Sequence, residues 1–338
     1  MASMKEIANL CGVSIATVSK ALNNHDDIGE ETKEKVRKMA KELGYFPNSS
    51  ARALKTKRTY NIGVLFVDAA QSGLTHDYFA NVLNSFKEAA EAGGYDITFI
   101  SNGKTGANQM SYLERCRYRG FDGVVIACVD FENPEVEELV KSDIPLVTID
   151  YSFFGRSAVI SDNVTGMKEL LTYVVKMGHR RIAYIHGEDS AVTKNRLSSF
   201  FKAAEELGLT IPDNYIKEAA YRNTKEAGAA TKALLELKVP PTCILYPDDF
   251  SCFGGMNVIK EKGLRIPEDI SVAGYDGLRI GRHIEPKLTT FWQDTQAIGT
   301  EAAKKLMELI EKPKTTIIEQ IVIGGEVYEG KTVKSIIS

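Results

Sequence analysis

The 338-residue chain predicts an all-α helix-turn-helix headpiece followed by an α/β core of two doubly wound parallel-sheet lobes. Three observations predict this. Two short amphipathic helices flank a glycine turn near the amino terminus. From residue 61 onward, short β-rich runs alternate with helical ones, as in βαβ units. The alternation runs through twice, before and after Asn163.

Composition bounds the class. At 43% hydrophobic and 26% charged residues, the chain can bury a core without disulfide or metal staples. Cys11, Cys116, Cys128, Cys243 and Cys252 form no CxxC pair and match no metal spacing, so reduced thiols in a cytoplasmic protein are expected. The start MASMKEIANL lacks a secretory signal pattern. No run approaches the roughly 20 apolar residues that span a bilayer. Residues 1–60 carry 11 Lys and Arg against 7 Asp and Glu, while the whole chain stands at -3. A basic segment on an acidic body fits a local phosphate-contacting module.

The first helix begins at Ser3, which with Glu6 makes a capping box. Ile7, Ala8, Leu10 and Cys11 follow at helical spacing. Gly12 suits a left-handed turn, and Ser14 caps a second helix, IATVSKALNN, with Val18, Ala21 and Leu22 inward. In this plan the second helix lies in a major groove. Its outward residues are Ile15, Ala16, Thr17, Ser19 and Lys20. Ile15 and Ala16 suit thymine methyls, Lys20 suits guanine or a phosphate, and Ser14, Thr17 and Ser19 suit phosphates. Asn23, at the end of the same helix, joins the candidate set. Two short helices around a glycine also occur outside DNA-binding proteins, so geometry alone leaves this open. A third helix, about Glu30 to Leu43, carries Val36, Met39, Ala40 and Leu43 on one face and is closed by Gly44.

Pro47 interrupts the chain. Asn48 or Ser49 then caps a short helix, SSARALK, too short to be stable alone in water. Ser50, Arg52, Leu54 and Lys55 are its candidate DNA contacts. Leu54 suits a wedge between bases from the minor groove; the alternative is a flexible linker whose leucine packs on the core.

In the body, NIGVLFV, DITFI, GVVIACV and PLVTID read as strands between helices FANVLNSFKEAAEAGG, QMSYLERCRYRG and PEVEELVKS. The second set has strands RIAYIHG, TCILYP and ISVAGYD. Its helices are VTGMKELLTYVVKMG, RLSSFFKAAEELG, TKEAGAATKALLEL and FSCFGGMNVIKEKG. After LTTFWQD come a helix, AIGTEAAKKLMELI, and a final strand, TTIIEQIVIGG. Ligands of open α/β sheets bind beyond the carboxyl ends of the strands. That places Asp68, Asp150, Gly187, Asp248, Asp249 and Asp276 around a cleft. No GxxxxGK[ST] or GxGxxG loop follows the first strand, which weighs against kinase and dinucleotide chemistry.

The runs MKEIANLCGVSIATVSKALNN and ETKEKVRKMAKELGYFPNSSARALKTKRTYNIGVL resemble the headpiece and hinge of the lactose-repressor/galactose-repressor (LacI/GalR) family. The resemblance is dense over residues 3–65 and weaker to about 325. It implies a homodimer that reads a pseudo-palindromic operator and whose hinge helices enter the minor groove. Ile15, Ala16 and Lys20 fall at base-reading positions, and Leu54 at that of the intercalating leucine. Two positions depart from the pattern: Gly29 stands before Glu30 where a Ser cap is usual, and Lys20 replaces an Arg, losing bidentate geometry. The implied core is periplasmic-binding-protein-like, with chain crossings between lobes near 159–163, 290–294 and 316–324. Expected boundaries are 1–46 for the headpiece, 47–60 for the hinge and 61–338 for the core. Within the core, lobe 1 covers about 61–160 and 293–325, and lobe 2 about 163–291.

The resemblance also implies a small-molecule effector between the lobes, with a sugar as the expected class. Arg196, in KNRLSSF, falls where an arginine holds the effector; the alternative is a surface arginine at a helix start. Asp248 in PDD replaces a usual Asn, exchanging a donor–acceptor for an acceptor. Asp276 in GYDG aligns with an effector-binding aspartate, and Tyr221 with a stacking aromatic. Tyr78 and Phe79 end an extended loop, DAAQSGLTHDYF. Asp68 is a candidate that equally suits a helix cap, and Trp292 equally suits hinge packing. No cofactor, metal site, catalytic residue or membrane contact is expected. The rival readings are a transport-system sugar-binding protein, which needs a signal peptide and no headpiece, and a sugar-active enzyme, for which no nucleophile–base motif is visible. Whether the effector releases DNA or promotes its binding stays open.

Overall fold

A computed structural model describes residues 3–46, 53, 58–67, 73–100 and 110–337. The chain divides into two compact units, Met1–Thr59 and Tyr60–Ser338.

The first unit packs α1 (Met4–Cys11), α2 (Ile15–Leu22) and α3 (Glu30–Glu42) around Ile7, Ala8, Cys11, Val18, Ala21, Val36 and Ala40. The capping box forms: Glu6 N donates to Ser3 Oγ and Ser3 N to Glu6 Oε2, each at 3.3 Å. Gly12 takes the left-handed conformation at φ 67°, which lets Ser14, the cap of α2, follow two residues later. Ser14 Oγ accepts from Thr17 N at 3.0 Å. Gly29 gives α3 no side-chain cap, but Glu30 and Glu31 stand in its first turn, where the helix dipole favours negative charge. The helix ends at Glu42, with Leu43 as its capping residue. The hinge candidates Ser50, Arg52, Leu54 and Lys55, and the strand-end Asp68, lie outside the described residues.

The second unit holds two six-stranded sheets. The first contains β1 (Asn61–Phe66), β2 (Asp96–Phe99), β3 (Gly123–Ala127), β4 (Leu146–Ile149) and β5 (Ser157–Ser161). The linking helices are α4 (Asp77–Ala92), α5 (Tyr112–Arg119) and α6 (Pro134–Lys141). The second sheet contains β6 (Ile182–His186), β7 (Ile216–Glu218), β8 (Cys243–Leu245), β9 (Ser271–Asp276) and β10 (Thr289–Gln293). Its helices are α7 (Asn163–Lys176), α8 (Ala191–Glu206), α9 (Thr224–Leu235) and α10 (Asp249–Glu261). The chain then returns to the first lobe as α11 (Thr295–Glu311) and β11 (Gln320–Ile323), and to the second as β12 (Gly325–Tyr328). The strand orders are β11-β5-β4-β3-β1-β2 and β12-β10-β9-β8-β6-β7. All pairings are parallel except β10 with β12.

The central strands read as continuous apolar runs because both faces are covered. Ile62, Val64 and Val125 point at α4 and α11, meeting Val82, Phe86, Ile298 and Leu306. Their alternates Leu65, Val124 and Ile126 meet Leu113, Cys116 and Leu139 on α5 and α6. In the second lobe Tyr184, Leu245 and Tyr275 face Leu170, Val174 and Phe200, while Ile185, Ile244 and Val272 face Ala227, Leu234, Met256 and Ile259.

Three passages join the lobes. Asp162 follows β5 and caps α7 through Thr165 N, and Asp294 follows β10 and caps α11 through Ala297 N, both at 2.9 Å. The third is Gly324, between β11 and β12. The segment TTIIEQIVIGG is therefore not one strand: only Gln320–Ile323 pairs with β5, and the next residues cross to the other sheet. Among the described residues no helix is long and apolar enough to cross a membrane, and no group of His, Cys, Asp and Glu is placed to hold a metal.

Candidate functional site

Between the lobes lies a cleft of about 600 Å³ lined by 24 residues, in the size range of small-molecule sites. It opens where the strands of both sheets end, so its floor is made of strand ends and helix starts.

Arg196 is the buried cation of this floor, only 3% exposed. Helix α8 begins at Ala191, capped by Ser190, rather than at Arg196 as the sequence suggests. Arg196 thus sits in the second turn, facing inward. Its Nε donates to Asn163 Oδ1 at 2.7 Å and its Nη1 to the Pro247 carbonyl at 2.9 Å. The guanidinium carbon stands 3.6 Å from the centroid of the Tyr275 ring, a cation–π contact. Nη2 makes no hydrogen bond within the described residues, so the cation is fixed by two bonds and one ring with donor capacity left over.

Asp276 lines the cleft at the end of β9, at φ 105°, a strained backbone for a residue with a side chain. Gln293 Nε2 donates to its Oδ1 at 2.7 Å. Burial pushes the Asp276 carboxyl well above the usual carboxylate range, against the pull of Arg196. Asp248 also lines the cleft but is heavily engaged. It caps α10 through Ser251 N and Ser251 Oγ, and accepts from Arg222 N, all at 2.8 Å. Asp249, next to it, does not line the cleft. It is fully buried, takes bonds from Thr290 Oγ1 and Leu278 N at 2.6 Å, and burial pushes its carboxyl up to about 8.

On the first lobe Tyr78 Oη donates to Asp150 Oδ2 at 2.8 Å, and Ser161 N to Asp150 Oδ1 at 3.0 Å. Burial raises the Asp150 carboxyl above its ordinary range, and those two donors pull it back. Phe79 lies edge-on to Tyr78 at 4.9 Å. Across the cleft Tyr221 donates or accepts with Thr193 Oγ1 at 2.9 Å, and its ring lies so close over Gly187 that a Cβ there would collide with it. Trp292 does not line the cleft; its indole packs against Gly277. Of the effector candidates, Tyr78, Phe79, Arg196, Tyr221, Asp248 and Asp276 come together at one cleft.

Three lining groups escape the sequence reading. Phe131 stacks on Tyr151 with centroids 4.3 Å apart and planes 11° apart. Arg222, at φ 60°, reaches from the second lobe to Asp77 on the first. Asp130, Glu132, Glu188 and Asp189 form an acidic rim. All sit in loops, where no periodicity marks them.

In the headpiece, α2 buries Val18 and Ala21 and turns Ile15, Ala16 and Lys20 outward. Ile15 is 48% exposed, an apolar side chain on the outer face of this short helix. Thr17 and Ser19 are half-buried, with Thr17 Oγ1 2.9 Å from Ser14 Oγ. Asn23 Nδ2 donates to the Ser19 carbonyl at 2.7 Å, and Lys20 pairs with Asp27.

Comparison with known proteins places both parts. Residues 3–48 match the model of bacterial regulatory proteins of the lacI family, and residues 59–328 match that of periplasmic binding proteins and sugar binding domains of the LacI family. The chain is 31% identical over 341 residues to the HTH-type transcriptional repressor PurR of Vibrio atlanticus, covering 99% of this chain and all of that protein. It is 31% identical over 318 residues to the probable HTH-type transcriptional repressor ExuR of Bacillus subtilis, covering 93% of each. Its fold resembles the lac repressor dimer bound to operator and the anti-inducer ONPF, with a TM-score of 0.82 at 24% identity over 98% of this chain and 99% of that one. A regulator CelR–cellobiose complex gives a TM-score of 0.72, also at 24% identity, over 98% of this chain and all of that one.

Proposed function

The chain belongs to the LacI family of bacterial regulatory proteins, and from that premise we propose that it is a transcriptional repressor whose hold on operator DNA is set by a small molecule in the interlobe cleft. The single observation that carries the effector reading is Arg196. A buried guanidinium is costly unless satisfied; here two protein acceptors fix it and spare donor capacity remains, beside the half-occupied Asp276 carboxyl. Such a pair takes a hydroxyl from each side, the carboxyl oxygen accepting and the guanidinium donating. Phe79 and Tyr221 supply apolar faces for the C–H side of a sugar ring. A sugar is therefore the effector class that fits.

The exposed face of α2 reads the operator, with Ile15, Ala16 and Lys20 at base edges and Ser14, Thr17, Ser19 and Asn23 toward the backbone. Ser50, Arg52, Leu54 and Lys55 serve the minor groove. Two copies bind a pseudo-palindromic site as a homodimer, a reading supported by the similar fold of the lac repressor dimer bound to operator. Binding operator DNA places its work in the cytoplasm. The effector changes how the lobes stand about their three passages, and the headpiece of each copy follows through residues 47–60, a coupling typically about 1–3 kcal/mol in size.

The test is a gel-shift selection against random duplex with the purified full chain, repeated with the effector found by thermal shift. A selected palindrome whose affinity changes about 5- to 150-fold with effector is expected. Failure to bind any duplex in a salt-sensitive manner overturns the proposal.

A further inference from the structure

The charges around the cleft separate into two zones. On the floor, Asp150 and Asp248 have both carboxyl oxygens engaged by protein donors, which leaves Asp276 as the open acceptor. At the rim, Asp130, Glu132, Glu188 and Asp189 are exposed. All three lining cations are engaged, and among the described residues Arg196 keeps only Nη2 unbonded. Lys194 pairs with Asp189 at 2.9 Å, Arg222 with Asp77 at 3.2 Å, and Arg196 has spent Nε and Nη1 on Asn163 and Pro247.

We propose that the effector is an uncharged oligosaccharide, and that the acidic rim excludes sugar phosphates and sugar acids; this rests on the cleft being the effector site. A phosphate or carboxylate needs unpaired donors, and a side-on fork through Arg196 Nε is already taken. An anion must also pass four rim carboxylates balanced by one ammonium, in a low-dielectric cleft that focuses their field. Repulsion of this kind gives specificity against close analogues that share every other contact. Neutral hydroxyls face no such barrier, and they can donate to the same rim carboxylates.

The aromatic arrangement sets the length. Tyr221 lies with the Arg196–Asp276 pair, while the stacked Phe131 and Tyr151 line the same cleft. One ring on the floor leaves the Phe131–Tyr151 wall free for a second, whose hydroxyls meet the rim.

The full-length protein would be titrated by calorimetry and thermal shift with glucose, galactose, cellobiose, maltose and lactose, then with glucose 6-phosphate, glucuronate and galacturonate. A neutral disaccharide binding about tenfold more tightly than its monosaccharide, consistent with one added aromatic contact, is expected, with no binding of the charged sugars. A phosphate or uronate that binds more tightly than its neutral parent overturns the inference and leaves the effector site standing. Absence of binding by every probe overturns the effector-site reading itself. The variant Glu132→Gln/Glu188→Gln should keep the wild-type melting temperature, which shows that it folds, and narrow the affinity gap between neutral and charged sugars; an unchanged gap removes the rim from the account.

Discussion

Arg222 and Asp77 stand 3.2 Å apart across the cleft, one on each lobe. Arg222 is held on its own side by its backbone bond to Asp248 and by the Phe250 ring, 4.2 Å from its guanidinium carbon. Its strained backbone at φ 60° points it at the opposite lobe. The pair clasps the two lobes together across the cleft.

Asp77→Asn should therefore loosen the clasp without touching the cleft lining. Asp77 is half exposed, so the pair is worth on the order of 0.2–1 kcal/mol. Effector affinity should fall about two- to fivefold, and this difference should shrink in high salt. Calorimetry of both proteins at two ionic strengths checks it; equal affinities remove the clasp.

Arg196→Ala should abolish effector binding and also lower the melting temperature. The structure adds the second effect, because Asn163 Oδ1 and the Pro247 carbonyl lose their donor in a buried setting. Each orphaned acceptor costs about 1–3 kcal/mol. Arg196→Lys keeps the charge and loses the planar fork, so it should fold better than the alanine variant yet bind weakly. Thermal melts paired with titrations separate the two; wild-type affinity in the lysine variant moves the site elsewhere.

Asp249→Asn should flatten the pH dependence of stability. The native carboxyl is pushed up to about 8 by burial, while the unfolded one titrates near 4. Between those values the unfolded chain is ionised and the native one is still protonated. Stability attributable to Asp249 is thus unimpaired below pH 4 and declines as pH rises toward 8. The asparagine variant, already neutral, should gain on the wild type at pH 8 relative to pH 5. Urea melts at both pH values decide it; a parallel pH profile for the two proteins refutes the assignment.

Removing residues 1–58 should eliminate operator binding and spare effector binding, since Tyr60–Ser338 is a compact unit with its own cores. Leu54→Ala in the full chain should weaken specific binding more than non-specific binding. Competition assays with operator and random duplex measure the ratio, and an equal loss for both argues against a wedge.

Much of the fold is legible in sequence because its signals are local. Ser3, Gly12 and Ser14 punctuate the first helices through bonds within a few residues of each. The apolar runs of β1 and β3 declare strands covered on both faces. The start of α8 is less legible: AVTKN carries β-branched residues of modest helix propensity, and only the Ser190 cap reveals it. Strand β7 is too short to show a period. In TTIIEQIVIGG the apolar run begins before the point where strand pairing starts at Gln320, and the break at Gly324 is a tertiary event. Arg196, Tyr221, Asp248 and Asp276 were reachable by family resemblance. Phe131, Tyr151 and Arg222 were not, because loops carry no pattern and only folding brings them to the cleft.

The order of the last strands has a consequence for how the protein is made. Strand β11 completes the edge of the first sheet and β12 that of the second, and Thr332 then bridges Thr289 and Val272. Both edges arise from residues 320–332, which follow every other strand of either sheet along the chain. A ribosome-bound chain therefore carries a finished headpiece long before either lobe is whole. Operator occupancy by such a nascent chain would be blind to the metabolic signal until residues 320–332 emerge.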